Sequence, residues 1–155
     1  MKKKHFNISN YALYFLALFA ISSLSAFHKN PIENTPLVVV KVRNVQHREG
    51  NIIAVVYNRD NFLTEKYLVS KGAPAQADSA EIVFQKLPKG SYAIAIYHDT
   101  NANDYFDRNW FGYPKEPFAI SNNLRPFNLM MPSFDKAKFD LNNSSVNLTI
   151  DLLNN

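Results

Sequence analysis

Between His98 and Asp107 the chain reads His-Asp-Thr-Asn-Ala-Asn-Asp-Tyr-Phe-Asp. Asp99, Asn101, Asn103 and Asp107 fall at positions 1, 3, 5 and 9 of a D-x-N-x-N-x-x-x-D pattern. Carboxylates and amides at alternate positions of a turning backbone aim hard oxygen donors at one point. That is what Ca²⁺ asks for, at ligand distances of about 2.4 Å. The carbonyl of Tyr105, at position 7, adds a further oxygen. Asp104 stands at position 6, where such loops use Gly for its positive φ. Asp enters that region more readily than most residues. Trp110 stands at position 12, where an EF-hand has its bidentate Glu, so the loop is not an EF-hand. A shorter Asp/Asn-rich loop of an extracellular β-domain fits better, with Glu116 reaching in and an affinity on the order of 0.1–1 mM. The competing reading is that Asp and Asn build turns through side chain-to-backbone hydrogen bonds and hold no ion.

Other chemistry is drawn more thinly. His98, Asp99 and Ser121 have the residue types of a base, an orienter and a nucleophile. No nucleophile-elbow motif surrounds Ser121, which is followed by Asn122 and Asn123. A hydrolase using His98 with a carboxylate from Asp99, Asp107 or Glu116 is the alternative to a non-enzymatic module. His47 and His98 alone are too few for a transition-metal site. Seven aromatics fall between Tyr97 and Phe118. Trp110, Phe111 and Tyr113, with Arg108 and Lys115 flanking, have the composition of a contact surface for a protein or glycan. The rival reading folds these rings back over the end of the domain.

These residues need elements to position them. The chain has 155 residues and no cysteine. One domain fits that length. The missing thiol excludes disulfides, thiol catalysis and an N-terminal lipidated cysteine. Residues 1–25 have the pattern of a signal peptide. Lys2, Lys3 and Lys4 precede an uncharged 14-residue run, Tyr11–Leu24, followed by Ser25 and Ala26. A bilayer span needs about 20 apolar residues, so cleavage is expected and no integral span should remain afterwards. The product is exported: periplasmic, surface-held or secreted. The chain carries 17 Lys plus Arg against 13 Asp plus Glu. Loss of Lys2, Lys3 and Lys4 leaves 14 against 13, a net +1. No basic stripe then supports nucleic-acid binding.

Residues 26–36 read as a linker and 37–153 as the domain. Period-two alternation marks Leu37–Val45 and Val146–Leu152. Asn51–Tyr57 is apolar on both faces, as a central strand would be. With the Gly-containing turn before it, it signals a hairpin with the first strand. Tyr67–Val69 reads as a short edge strand, and Lys71–Ser79 as a polar loop. Glu81–Leu87 and Ser91–His98 flank a Pro-Lys-Gly turn. Ala93 and Ala95 share a face against which something must pack closely. Phe118–Ile120, Asn128–Met131 and Lys136–Leu141 are further strand candidates. No segment has a helical period. The pattern predicts an antiparallel β-sandwich of about seven strands. Its expected core is Val38, Val40, Ile53, Val55, Ile82, Phe84, Ile94, Ile96, Leu148 and Ile150.

Three stretches carry a resemblance. They are Leu87-Pro88-Lys89-Gly90-Ser91-Tyr92-Ala93, then His98 to Asn123 with Phe111-Gly112-Tyr113-Pro114 inside it, then Pro132-Ser133-Phe134-Asp135-Lys136-Ala137-Lys138-Phe139. Together, and in this order, they resemble the DUF2141 family of exported bacterial proteins. The resemblance implies a small immunoglobulin-like or prealbumin-like β-sandwich behind a signal peptide, without an established activity. At Asp104 the family usually has Gly, and at Phe118-Ala119-Ile120 it often has Gly-Phe before Ser-Asn.

Overall fold

The computed structural model describes residues 35–76, 78–112, 114–126 and 130–154. The signal peptide expected at 1–25, most of the linker, Tyr113 and the first half of the strand expected at Asn128–Met131 lie outside the described residues. Thr35–Asn155 is a compact unit by itself.

The chain is a β-sandwich. In order it forms β1 (Val38–Arg43), β2 (Asn51–Tyr57), β3 (Val69–Pro74), β4 (Ser79–Phe84), β5 (Gly90–Asp99) and β6 (Phe118–Ile120). A 3₁₀ turn (Ser121–Asn123), one helical turn α1 (Phe134–Ala137), β7 (Phe139–Leu141) and β8 (Val146–Asp151) follow. One sheet has the order β4-β1-β8. The other runs β3-β2-β5-β6, with β7 also paired to β5. β5 is long enough to hold both short partners on one edge: β7 along Gly90–Tyr92 and β6 along Ala95–Tyr97.

Alternation places the core. Val38, Val40 and Val42 are buried, while Lys41 and Arg43 on the opposite face are exposed. Ile82, Phe84 and Ile150 join them from the three-stranded sheet, and Ile52, Val56, Ile94 and Ile96 from the other. Ile53 and Val55 lie outside this cluster, contrary to expectation. The register explains the shift. Ala54 and Val56 stand opposite Ile96 and Ile94 on β5, and cross-strand partners share a face. A strand apolar on both faces gives no phase of its own, so its neighbour decides it. Leu148 is partly buried against the cluster.

Four further expectations are corrected. β1 and β2 do not form a hairpin; they lie in different sheets, and residues 44–50 cross between them. Seven residues easily span the roughly 10 Å between packed sheets. β1 and β8 run parallel, so the sandwich is not wholly antiparallel. Val69–Pro74 is a strand where mostly loop was expected. It is an edge strand, and Lys71, Gly72 and Pro74 are the residues that blunt an edge. Lys136 belongs to α1, a single turn too short to print a period, and only Phe139–Leu141 of the expected Lys136–Leu141 is a strand.

Ala93 of β5 has the expected close neighbour. Ala93 packs with Ile120 and with Phe134 and Ala137 of α1 on the outer face of the five-stranded sheet. Phe62 stacks edge-on to Phe134 at 5.7 Å. The Arg59 guanidinium lies 5.0 Å over the Phe134 ring and pairs with Asp135, whose carboxyl it holds below its ordinary range.

Candidate functional site

β5 ends by delivering two side chains to different places. His98 is the last inward residue of its face and is fully buried. Its Nε2 lies 2.7 Å from the Glu49 carbonyl, and its Nδ1 has no hydrogen-bond partner. Asp99 is also fully buried, and it starts the loop. Its Oδ1 accepts the Asn103 N–H at 3.1 Å, and its Oδ2 accepts the Asp104 N–H at 2.8 Å.

The loop then curls. Ala102 and Asp104 hold φ of 54° and 64°. Asp104 thus takes the left-handed conformation for which such loops use glycine. Asn103 Oδ1 accepts the Tyr105 N–H at 2.8 Å. Asp107 Oδ2 accepts the side-chain amides of Asn101 and Asn103, at 2.8 and 3.2 Å. The side chains of Asn101 and Asn103 thus meet at Asp107, while Asp99 is tied to the same curl through the Asn103 and Asp104 N–H groups. What gathers them is a set of side-chain turns, each satisfying a backbone donor that would otherwise be lost.

Glu116 closes the loop from the returning strand. Its Oε1 accepts from Thr100 N at 3.3 Å and its Oε2 from Asp107 N at 3.1 Å. Burial pushes its carboxyl above the usual range, and Asp99 and Asp107 push the same way. The two backbone donors pull it back. The Tyr97 hydroxyl beside this acidic turn is pushed up to about 12, by burial first and then by Asp99, Glu116 and Asp104.

The aromatics divide into two sets. Tyr97, Phe106 and Phe118 stack in a row, with ring centroids 5.3 and 6.1 Å apart. This row is the fold-back expected of a long loop. Trp110 and Phe111 do the opposite: they are 96% and 87% exposed. Tyr105 is 75% exposed. Arg108 pairs with Pro114 as a bridge, and Lys115 N–H donates to the Asp107 carbonyl at 2.9 Å. Between them Asn109–Gly112 is a turn closed by Gly112 N–H on Asn109 O at 2.9 Å. Gly112 has φ 82° and open space around it, so glycine is there for its conformation. Trp110 and Phe111 are the two central residues of that turn.

His98, Asp99 and Ser121 are not assembled as a triad. Ser121 Oγ is buried, accepts the Ile94 N–H at 3.0 Å and donates to the Ala137 carbonyl at 2.6 Å. Its neighbours extend the same fastening. The Asn122 amide donates to the carbonyls of Lys136 and Lys138. The Asn123 amide accepts from Asp151 N and donates to Thr149 O, as a pairing strand would. Ser121-Asn122-Asn123 is a clip joining β5, α1 and the open edge of β8. Sequence reasoning read these residues as a turn; only their polar types before a buried strand partner hinted at more. Ser121→Ala leaves a buried donor and acceptor unmade and is expected to cost about 2 kcal/mol. Equilibrium denaturation checks this.

Among the described residues, no three His, Cys, Asp or Glu side chains form a group able to hold a metal. At Asp107 the amides of Asn101 and Asn103 present nitrogen to the carboxylate, and their oxygens accept the Asn103 and Tyr105 N–H groups.

Fold and loop together define a class: a small β-sandwich whose acidic turn clamps the base of an aromatic-tipped hairpin. The chain belongs to the DUF2141 family, described as an uncharacterized protein conserved in bacteria, which it matches over residues 40–149. No curated protein and no solved structure matches it.

Proposed function

We propose that the protein is an exported, non-catalytic binding module that makes contact through the tip of its 99–116 loop. The observation that carries this reading is the exposure of Trp110, 96%, at the centre of a hydrogen-bonded turn. Large aromatics are normally covered, and a pair left in water on a fixed turn suits a partner. The clamp of Asp99, Asp107 and Glu116 then has a purpose, since it holds the tip in place before binding and lowers the ordering cost. Trp110→Ala should leave stability within about 0.5 kcal/mol, because no contact is lost on folding. The same change should abolish partner binding. Denaturation and binding measured on one preparation separate the two effects.

Calcium is a second part of the proposal. What supports it is the meeting of Asn101 and Asn103 with Asp107, and of Asp99 with the Asn103 and Asp104 N–H groups, on one loop curled by left-handed turns at Ala102 and Asp104. The Tyr105 carbonyl would complete the set. Binding to the folded form alone adds RT ln(1 + [L]/Kd), about 1.4 kcal/mol at tenfold Kd. The melting temperature should therefore rise in millimolar Ca²⁺ and fall in chelator. An identical melting curve in both would leave the loop its turn-building role only.

A further inference from the structure

We infer that the partner of the tip is an anionic lipid surface, into whose interface Trp110 and Phe111 insert; this rests on the reading of the tip as a contact surface. Three observations favour a membrane over a protein or a glycan. First, the area is small. Two aromatics expose about 400 Å², against the roughly 800 Å² per partner of a specific protein interface. A lipid interface requires no such area or matching rim, only apolar surface with nearby cations. Second, the shape is convex. Trp110 and Phe111 are adjacent central residues of a four-residue turn, not a platform. Phe111 has no polar group for a sugar, and the neighbouring Asn109 uses its Oδ1 on Phe111 N–H at 3.0 Å. Trp combines an apolar body with an N–H and suits the boundary between acyl chain and headgroup.

Third, the charge is segregated. Arg108 and Lys115 stand at the neck of the turn, both exposed, and neither is ion-paired among the described residues, though the Arg108 guanidinium lies 5.3 Å over the Phe106 ring. The nearby acids lie below them and are engaged. Asp99 and Glu116 are buried on backbone donors, and Asp107 is bound to two amides. The exposed acid is Asp104, on the earlier curl. A cationic neck behind an apolar tip complements anionic headgroups, each Lys or Arg near such a surface being worth about fivefold in binding.

The test uses the chain from Phe27 onward, since Thr35–Asn155 is compact by itself and its buried core lies between Val38 and Leu152. Trp110 is the sole tryptophan, so its emission reports the tip alone. Vesicles of phosphatidylcholine with roughly one-third phosphatidylglycerol should shift Trp110 emission to the blue. Acyl-brominated lipid should quench it. Phe111→Ser should weaken partition at least about tenfold, and Arg108→Gln and Lys115→Gln about fivefold each, with unchanged circular dichroism. Emission unmoved at saturating lipid would overturn the proposal. So would an equal response to neutral vesicles that ignores both cation variants. A soluble glycan or protein that moves Trp110 where vesicles do not would overturn the membrane and keep the contact surface. A Trp110 shielded from water in the free protein would overturn the contact surface itself.

Discussion

Gly50→Ala should be among the most damaging single substitutions in the domain, costing about 3–4 kcal/mol. Gly50 has φ +73°, and a Cβ built there would lie 1.9 Å from the Asp99 carbonyl oxygen. The obstacle is backbone, so no side chain can swing aside. Either β2 separates from β5 at the pair Asn51 and Asp99, or Asp99 moves. Each outcome disturbs the residue that starts the acidic loop. The left-handed conformation alone accounts for about 1–2 kcal/mol of the loss, and the overlap for the rest. Chemical denaturation should give a lower midpoint with an unchanged slope. A midpoint like that of the parent would mean that the chain does not approach Asp99 so closely.

Asp99→Ala is expected to cost about 3 kcal/mol, by a different route. The carboxylate is fully buried and takes the N–H groups of Asn103 and Asp104. Charge-assisted bonds to backbone donors are about twice as strong as neutral ones. Without them, two donors lose their partners and nothing local favours the positive φ at Ala102 and Asp104. Asp99→Asn keeps one acceptor oxygen and should recover about half of the loss. The alanine variant should also expose residues 100–107 to rapid amide exchange, while β5 upstream stays protected. Protection retained at Asn103 and Asp104 in Asp99→Ala would contradict the clamp.

The fold was legible where one face of a strand is polar. Val38 to Arg43 and Val146 to Asp151 state their phase outright, and the structure follows it. It was illegible where both faces are apolar, as in Asn51–Tyr57, because the partner's register then selects the inward side. The mistaken hairpin has a related cause. A glycine before a strand signals a turn, but Gly50 is needed for its closeness to Asp99, a contact between residues far apart in the chain. The edge strand Val69–Pro74 hid behind residues chosen to discourage pairing.

The site was legible in part. Spacing pointed to a loop turned by its own Asp and Asn side chains, and Asn101 and Asn103 do bond to Asp107 while Asp99 holds the Asn103 and Asp104 N–H groups. Whether the aromatics after them fold back or stand out was not readable. Phe106 and Trp110 have the same residue class four positions apart, yet Phe106 stacks on Tyr97 and Trp110 faces water. What separates them is the bridge between Arg108 and Pro114, which pinches the loop and sends the turn beyond it outward.

The central claim is that this turn holds Trp110 in water on a folded domain. Quenching of its fluorescence by acrylamide tests this most directly, because no other tryptophan contributes. The quenching constant of the folded, unbound protein should be close to that in denaturant, with red-shifted emission in both. A several-fold smaller constant in the folded protein, with blue emission that red-shifts only on unfolding, would contradict it.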